Sequence, residues 1–205
     1  MQIRKSCFLF FLLLMGAGQA FSQLSFDHLT VSNGLSQSTV LSIAKDSRGY
    51  LWFGTRDGLN RYNGKNIKVY RHDDQKNTSI SADDYIYTIV KSKDNNLWIG
   101  TQRGLNYYQP KTDAFEKIYH NPKDPSSLSS NAVLSVCEKK NGQVWFGTNQ
   151  GLSMLANAKS RKFKNFKLKD GLAGNEIYCV FEDSKNNIWL GTTTGLTRIK
   201  PVGQN

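Results

Sequence analysis

The stretch LWFGTRDGLNRY, from Leu51 to Tyr62, decides the fold because nearly the same phrase returns three more times. The later copies are LWIGTQRGLNYY from Leu97, VWFGTNQGLSML from Val144 and IWLGTTTGLTRI from Ile188. When the copies are aligned on their tryptophan, they lie 46, 47 and 44 residues apart. A period of this length is typical of stacked β units, each of which is one supersecondary structure.

Each copy predicts a tight hairpin followed by a buried strand. Three residues before each tryptophan stands a residue that accepts a left-handed backbone conformation at little cost, which a two-strand hairpin requires. These residues are Gly49, Asn95, Gly142 and Asn186. The strand that follows is apolar at successive positions, so both of its faces are expected to be covered.

Two sets of repeated residues are predicted to build the core. Tryptophan is expected to pack between neighbouring units, and the glycine two residues later leaves room where a neighbouring backbone passes closely. The tryptophans are Trp52, Trp98, Trp145 and Trp189, and the glycines are Gly54, Gly100, Gly147 and Gly191.

Further strands follow each phrase, as in NIKVYRH, FEKIYH and FKNFKL, which gives four short antiparallel strands per repeat. The sequence therefore predicts an all-β protein, a β-propeller of four blades of about 46 residues each. The blades are expected around residues 36-72, 82-120, 129-168 and 173-200, within one domain at 23-205. Residues 25 to 30 resemble a fourth strand and could close a small ring, but we favour an open arc cut from a longer array, because GTTTGLTRI does not show the polar capping that a terminal blade needs.

The first residues read as a signal peptide over residues 1-22. Arg4 and Lys5 precede an apolar run from Cys7 to Met15, and small residues follow. The run is shorter than the roughly 20 residues of a membrane-spanning helix. We therefore expect an exported chain.

The charge and the cysteines give weaker indications. The chain has 27 Lys and Arg against 16 Asp and Glu, a net charge of +11. This balance favours anionic partners or a solvated surface, and export makes nucleic acid an unexpected partner.

Cys137 and Cys179 could form a bridge, although two small buried side chains agree better with their different repeat positions.

The segment from Asp46 to Tyr62 carries a recognisable pattern, D-x-x-G-x-L-W-F-G-T-x-x-G-L-x-R-Y. With its three further copies, and with NPKDPSSLSSNAV between two of them, the chain resembles the two-component regulator propeller repeat family. The resemblance implies the exported sensor region of a Bacteroidetes hybrid two-component system, often a sensor of glycans. Such regions precede a membrane helix and a histidine kinase, neither of which is visible in this sequence. We therefore expect an amino-terminal fragment of a sensor, or a free-standing propeller that acts through a partner.

A binding role agrees better with the residues than catalysis does. No HExxH, GxSxG, phosphate-binding or calcium-binding motif occurs, so we expect no catalytic residue, metal or cofactor. Loops gathered on one propeller face bring together aromatic and polar side chains that suit sugar stacking and hydrogen bonding. The same tyrosines could instead pack between blades. The candidate ligand-binding residues are Tyr85, Tyr87, Tyr178, Asp83, Asp84, Asn131 and Asn175.

Three functions remain open from the sequence. The first is an exported ligand-sensing module of a two-component receptor, directed to an oligosaccharide or another periplasmic ligand. The second is a periplasmic scaffold for protein partners, including further blades, a kinase region or a second copy joined through blade edges. The third is a carbohydrate-active propeller enzyme.

Overall fold

The structure is a computed structural model that describes residues 24–81 and 85–201. The predicted signal peptide, Asp83 and Asp84 lie outside the described residues. The described residues form fifteen strands in four antiparallel sheets, which confirms the predicted all-β propeller architecture.

The first sheet contains β1 (Val40–Lys45), β2 (Leu51–Thr55), β3 (Gly58–Tyr62) and β4 (Ile67–Tyr70). The second contains β5 (Ile86–Lys91), β6 (Leu97–Thr101), β7 (Gly104–Gln109) and β8 (Ala114–Ile118). The third contains β9 (Val133–Glu138), β10 (Val144–Thr148), β11 (Gly151–Leu155) and β12 (Lys164–Phe166), and the fourth contains β13 (Ile177–Glu182), β14 (Ile188–Thr192) and β15 (Gly195–Ile199).

Each sheet is an up-and-down meander, and the sheets are numbered below as blades 1 to 4. The first hairpin of each blade turns through a residue with positive φ, at 91° for Gly49, 67° for Asn95, 89° for Gly142 and 62° for Asn186. Because the left-handed region is open to glycine and tolerable for asparagine, this one position sets the register of the tryptophan strand.

Neighbouring blades stack through their tryptophan strands. Trp52 and Trp98 are fully buried, and each belongs to an apolar cluster shared with the following blade. A Cβ atom on Gly54 would lie 2.6 Å from Ile86 Cγ2, and one on Gly100 would lie 2.6 Å from the carbonyl oxygen of Val133. These glycines therefore permit the inner strand of the next blade to approach the sheet.

Polar contacts also join neighbouring blades. Between blades 1 and 2, Asp113 accepts hydrogen bonds from Lys68 at 2.6 Å and from the Tyr70 hydroxyl at 2.7 Å. Between blades 2 and 3, Arg161 forms a bidentate pair with Glu116 at 2.5 and 2.6 Å. Because these charged groups are partly buried and paired in good geometry, they fix how one blade sits on the next.

Among residues 24–81 and 85–201 the blades form an open arc, because neither end face is covered by another of the described blades. On blade 1, Ile43 is 66% exposed, whereas Ile89, at the same position in blade 2, is 5% exposed. On blade 4, Leu196 is 65% exposed, whereas Leu105 and Leu152 at the same position are fully buried. Trp189 is only partly buried for the same reason. In the described part of the chain, no helix has the length and apolar character needed to cross a bilayer.

The cysteines are not bridged. Cys137 is half-buried between blades 3 and 4, and burial raises the pKa of its thiol. Cys179 is exposed, so the expectation of two buried side chains is wrong for this residue. The reason is that Cys179 lies on the face of blade 4 that no other blade covers in the described part of the chain.

Candidate ligand-binding site

One side of the arc gathers loops from all four blades, and we call it the upper face. It comprises the segment that leads into each inner strand and the turn between the second and third strands of each blade. In blade 1, for example, Val40 pairs with Thr55, so the start of β1 lies beside the end of β2. The same pairing recurs as Ile86 with Thr101 and Ile177 with Thr192. Side chains from distant parts of the sequence therefore meet here.

A repeated polar frame holds the upper face in place. In blade 1, the Ser36 and Thr55 hydroxyls lie 2.9 Å apart, and Asn60 Oδ1 accepts a hydrogen bond from the Ser36 backbone N–H at 2.9 Å. In blade 2 the corresponding residues are Ser81, Thr101 and Asn106, which are fully buried. Because buried polar groups cost free energy unless they are hydrogen-bonded, these frames define one loop geometry. The frame residues are not among the predicted site residues, although the threonine recurs in all four copies and the serine in the first three; blade 4 has Ala173 at the serine position.

The residues that differ between copies lie in the turn between the second and third strands, next to this frame. Within the phrase GTxxGL, two positions change in every copy while the flanking threonine and glycine persist. The frame explains the persistence, because Thr55 Oγ1 donates to the Gly58 carbonyl and the equivalent bonds recur in the other blades. The variable pairs are Arg56-Asp57, Gln102-Arg103, Asn149-Gln150 and Thr193-Thr194.

Tyr85 and Tyr87 form the centre of a cluster on the upper face. Their ring centroids lie 4.6 Å apart with an interplanar angle of 43°. The Arg56 guanidinium lies 5.6 Å from the centroid of Tyr85, and the Tyr87 hydroxyl donates to Gln102 Oε1. Both tyrosines are half-buried. Arg56 and Gln102 were not among the predicted site residues, and their variation between otherwise similar repeats is the signal that could have identified them.

A β-bulge directs one residue of each inner strand out of the regular pairing. In blade 2, Ile86 and Thr88 pair with consecutive residues of β6, which leaves Tyr87 as the additional residue. Tyr178 holds the same place in blade 4. The hydrogen bond with Glu176 is the main cause that raises the pKa of Tyr178, and the Tyr87 hydroxyl contributes to the same shift. Bulges re-aim side chains next to binding sites, and this one does so for both tyrosines.

The two asparagines of the predicted site hold linkers between blades. Asn131 Oδ1 accepts a hydrogen bond from the His120 backbone N–H at 2.7 Å, and Asn175 Oδ1 accepts one from Leu168 N–H at 3.1 Å. Both side chains are half-buried. The structure thus brings Tyr85, Tyr87 and Tyr178 to inner-strand starts, whereas the oxygens of the asparagines are used in packing the linkers.

The tyrosine cluster, which we define as Arg56, Tyr85, Tyr87 and Gln102, offers two rings, one guanidinium and one amide. Tyr178 is a separate, 54% exposed ring on blade 4. These groups can stack on an apolar sugar face, donate hydrogen bonds and attract an anion. Among residues 24–81 and 85–201, no group of three or more His, Cys, Asp or Glu side chains is placed to hold a metal ion.

Comparison with known families agrees with the repeat structure. A model of the family described as Two component regulator propeller matches residues 34–57, 80–103, 127–150 and 171–194. Each match contains one inner strand and the first seven residues of the tryptophan phrase that follows it. The chain belongs to the two-component regulator propeller family.

Two similar solved structures come from Bacteroides thetaiotaomicron. The extracellular domain described as that of a hybrid two component system is 25% identical, with a TM-score of 0.68, over 87% of this chain and 31% of that chain. A second such domain from the same organism is 24% identical, with a TM-score of 0.73, over 87% of this chain and 26% of that chain. This regulator propeller thus spans about a third or less of the domains it matches.

Among curated proteins, the regulator propeller is similar to Histidine kinase P4 of Formosa agariphila. The two are 48% identical over 60 residues, which are 29% of this chain and 4% of the kinase. A virginiamycin B lyase from Staphylococcus aureus has a related fold, with a TM-score of 0.56 at 16% identity over 82% of this chain and 57% of the lyase. At that identity the likeness to the lyase concerns the fold alone.

Proposed function

We propose that this chain is an exported ligand-sensing module of a two-component signalling receptor and that its ligand is an oligosaccharide. The single observation that carries the proposal is the tyrosine cluster on the upper face. A family of sensor propellers supplies the context, and the cluster supplies a chemically distinct surface at the centre of the loops.

The chemistry of the cluster favours a sugar over a small apolar ligand. Half-buried tyrosine rings present an apolar face together with a polar hydroxyl, which matches the alternating character of a sugar ring. Arg56 adds a cation, and the chain carries a net charge of +11, so anionic sugars are favoured over neutral ones. Asp83 and Asp84 adjoin Tyr85 in sequence, and we propose that they contribute hydrogen-bond acceptors. Asn131 and Asn175 would contribute through their amide nitrogens.

Signalling would require a transmitter outside the described residues. The resemblance to extracellular domains of hybrid systems supports a periplasmic location and a kinase region as the partner. Ligand binding at the inner strands would then be transmitted through the stacked blades, because each inner strand contacts the next.

The proposal is tested by calorimetric titration of the full chain with sulfated, uronic-acid and neutral oligosaccharides. We expect binding of an anionic member, lost or weakened at least about fivefold by Tyr85→Ala or Tyr87→Ala, because each aromatic contact is worth on the order of 1 kcal/mol or more.

The matched control is Tyr62→Ala. Tyr62 lies at the opposite end of the sheet, where its hydroxyl donates to the Gly64 carbonyl at 2.7 Å. This variant should leave binding unchanged. Absence of binding to all three oligosaccharide classes, or equal loss in Tyr62→Ala and Tyr85→Ala, would contradict the proposal.

A further inference from the structure

The linker from blade 1 to blade 2 and the linker from blade 2 to blade 3 contain the same hydrogen-bonded turn. In the first linker, Asp73 follows a histidine and donates its backbone N–H to Ser79 Oγ at 3.2 Å. In the second, Asn121 follows a histidine and donates its backbone N–H to Ser127 Oγ at 2.9 Å. The two histidines are His72 and His120. They occupy equivalent places, so a difference between them comes from the neighbouring side chains.

Each histidine is held through one ring nitrogen. His72 Nδ1 lies 2.9 Å from the carbonyl oxygen of Ile80. The equivalent distance from His120 Nδ1 to the carbonyl oxygen of Leu128 is 2.6 Å. Because a carbonyl oxygen only accepts hydrogen bonds, Nδ1 carries a proton in both rings. This contact fixes the orientation of the ring, and Nε2 is the atom that can meet a second partner.

The two histidines differ in the partner of Nε2. In the first linker, Nε2 of His72 lies 2.7 Å from Oδ1 of Asp74. The hydrogen bonds with the Ile80 carbonyl and with Asp74 raise the pKa of His72, which favours a charged imidazolium beside the carboxylate. In the second linker, Pro122 stands at the position of Asp74. No group in the described part of the chain forms a hydrogen bond with Nε2 of His120.

His120 and Pro122 line a cavity of about 370 Å³ between the second linker and the outer strand of blade 3. We call it the histidine cavity. Lys167 and Lys169, which follow β12, line it too. Both lysines are exposed, and neither forms an ion pair with another described residue. Where the first linker has a carboxylate of its own, the second linker therefore has an open cavity with two cationic side chains.

Two carboxylates also line the histidine cavity, and both are hydrogen-bonded within their own turns. Asp124 Oδ1 accepts a hydrogen bond from the Ser126 backbone N–H at 2.9 Å. Asp170 Oδ2 accepts one from the Lys167 backbone N–H at 2.9 Å. Hydrogen bonds from Ser126 and the charge of Lys162 lower the pKa of Asp124. Lys162 and the two lysines of the cavity outnumber these two carboxylates, which favours an anion as the ligand.

We propose that the histidine cavity binds the carboxylate of an anionic ligand in the place that Asp74 fills in the first linker. Nε2–H of the doubly protonated His120 ring donates to one carboxylate oxygen, and Lys167 and Lys169 balance the charge. The chain itself supplies the precedent, because the equivalent histidine holds a carboxylate oxygen at 2.7 Å. The inference rests on the proposed function for one point, that the carboxylate belongs to a uronic acid.

The test is a calorimetric titration of the full chain with glucuronate, combined with nuclear magnetic resonance of the histidine rings. The chain has three histidines, so the signals of His120 can be assigned by substitution. We expect saturable binding of glucuronate that shifts the His120 signals, and no binding of glucose, which lacks the carboxylate. Acetate identifies the source of the carboxylate: a preference for glucuronate supports a uronic acid, and equal affinity supports carboxylates in general.

Two variants test the precedent from the first linker. His120→Asn keeps a donor for the Leu128 carbonyl but removes Nε2, and Pro122→Asp supplies the carboxylate that Asp74 supplies in the first linker. Each should weaken glucuronate binding at least about tenfold, because a hydrogen bond between charged groups is lost or its donor is already occupied. The matched control is His72→Asn, which makes the same change where Asp74 is the partner and should leave glucuronate binding unchanged.

Circular dichroism checks the fold of all three variants. Pro122→Asp keeps the test decisive if His120→Asn does not fold, because the first linker has aspartate at the equivalent position. Glucose that binds as tightly as glucuronate, unchanged affinity in Pro122→Asp, or an equal loss in His72→Asn would overturn the proposal.

Failure of this inference and failure of the proposed function give different results. If glucuronate binding is weakened by Tyr85→Ala and not by His120→Asn, the tyrosine cluster is the carboxylate site and the inference about the histidine cavity is wrong. If glucuronate binding is lost in His120→Asn while oligosaccharides fail to bind the tyrosine cluster, the histidine cavity stands and the proposed function is wrong.

Discussion

Blades 2 and 4 are built from nearly the same phrase, LWIGT and IWLGT, yet the phrase has different surroundings in the two places. In blade 2 all five residues of the phrase are buried. In blade 4 the tryptophan and the last two residues are only partly buried, because none of the other described sheets lies on that side. The hairpin, the strand pairing and the bulge are the same in both blades.

The comparison separates what a blade specifies by itself from what its neighbour adds. Local sequence sets the hairpin and the register, since the positive-φ residue and the polar frame lie within one repeat. Burial of the tryptophan strand depends on the next repeat, as in other proteins whose repeats contact only their neighbours. The same substitution in the two blades should therefore lower the free energy of unfolding by different amounts, and the difference should equal the contribution of the neighbouring blade.

The largest difference is expected for leucine in the third strand. Leu105 is fully buried, whereas Leu196 is 65% exposed. Leu105→Ala should lower the free energy of unfolding by about 3 kcal/mol, because it removes buried methyl groups and leaves a cavity. Leu196→Ala should lower it by less than about 0.5 kcal/mol. Urea unfolding at low protein concentration measures both, and equal losses would remove the basis of the comparison.

A smaller difference is expected for glycine in the tryptophan strand. A Cβ at Gly100 would lie 2.6 Å from a backbone oxygen of the next blade, which cannot move aside as a side chain could. Gly100→Ala should therefore cost about 2 kcal/mol through overpacking. Gly191→Ala should be neutral or slightly stabilising in the monomer, by up to about 0.5 kcal/mol, because alanine restricts the unfolded chain. Thermal unfolding of the two variants is the measurement, and a comparable loss in Gly191→Ala would argue for a hidden neighbour on blade 4.

The smallest expected effect is the acid sensitivity of the contacts that Asp113 makes between blades 1 and 2. Partial burial raises the pKa of Asp113, but hydrogen bonds from Lys68, Tyr108 and Tyr70 outweigh burial and hold the pKa at about 2. Since this value lies below that of the unfolded chain, the contribution of Asp113 is complete above about pH 4 and is lost as the pH falls toward 2. The side chain is 40% exposed, so solvent screening limits the contribution to about 1 kcal/mol.

Asp113→Asn tests this contribution and suits the site, because asparagine tolerates the φ of 53° found there. The variant should be less stable than the wild type at pH 6 and should lose less stability between pH 4 and pH 2. Asp57→Asn, at an exposed ion pair with Arg71 within blade 1, is the control and should retain the acid sensitivity of the wild type. If Asp113→Asn loses as much stability in acid as the wild type, Asp113 does not couple the two blades.

Much of the fold could be predicted from the sequence because its strongest signals are local and repeated. The glycine or asparagine of the hairpin determines a backbone conformation without reference to the rest of the chain. The number of copies of the tryptophan phrase determines how many blades stack. Whether the arc closes could not be decided in this way. Closure depends on the angle between blades, which is set by junction contacts such as the pair between Glu116 and Arg161.

The candidate site could be predicted only in part. The positions of Tyr85, Tyr87 and Tyr178 at inner-strand starts follow from the repeat. The cluster with Arg56 and Gln102 depends on turns of two different blades, and one sequence does not show that the turns meet. The amide oxygens of Asn131 and Asn175 are used by linker backbone groups, a role that composition does not reveal because the same residue type also suits ligand binding.

The most direct test of the central claim, that every blade has the same local fold while blade 4 is covered on one face only in the described part of the chain, is amide hydrogen exchange of the wild type. We predict strong protection in β6 and β10 and faster exchange in β13 and β15, because local opening is easiest where few apolar contacts cover a strand. Equal protection of all four blades would contradict the account.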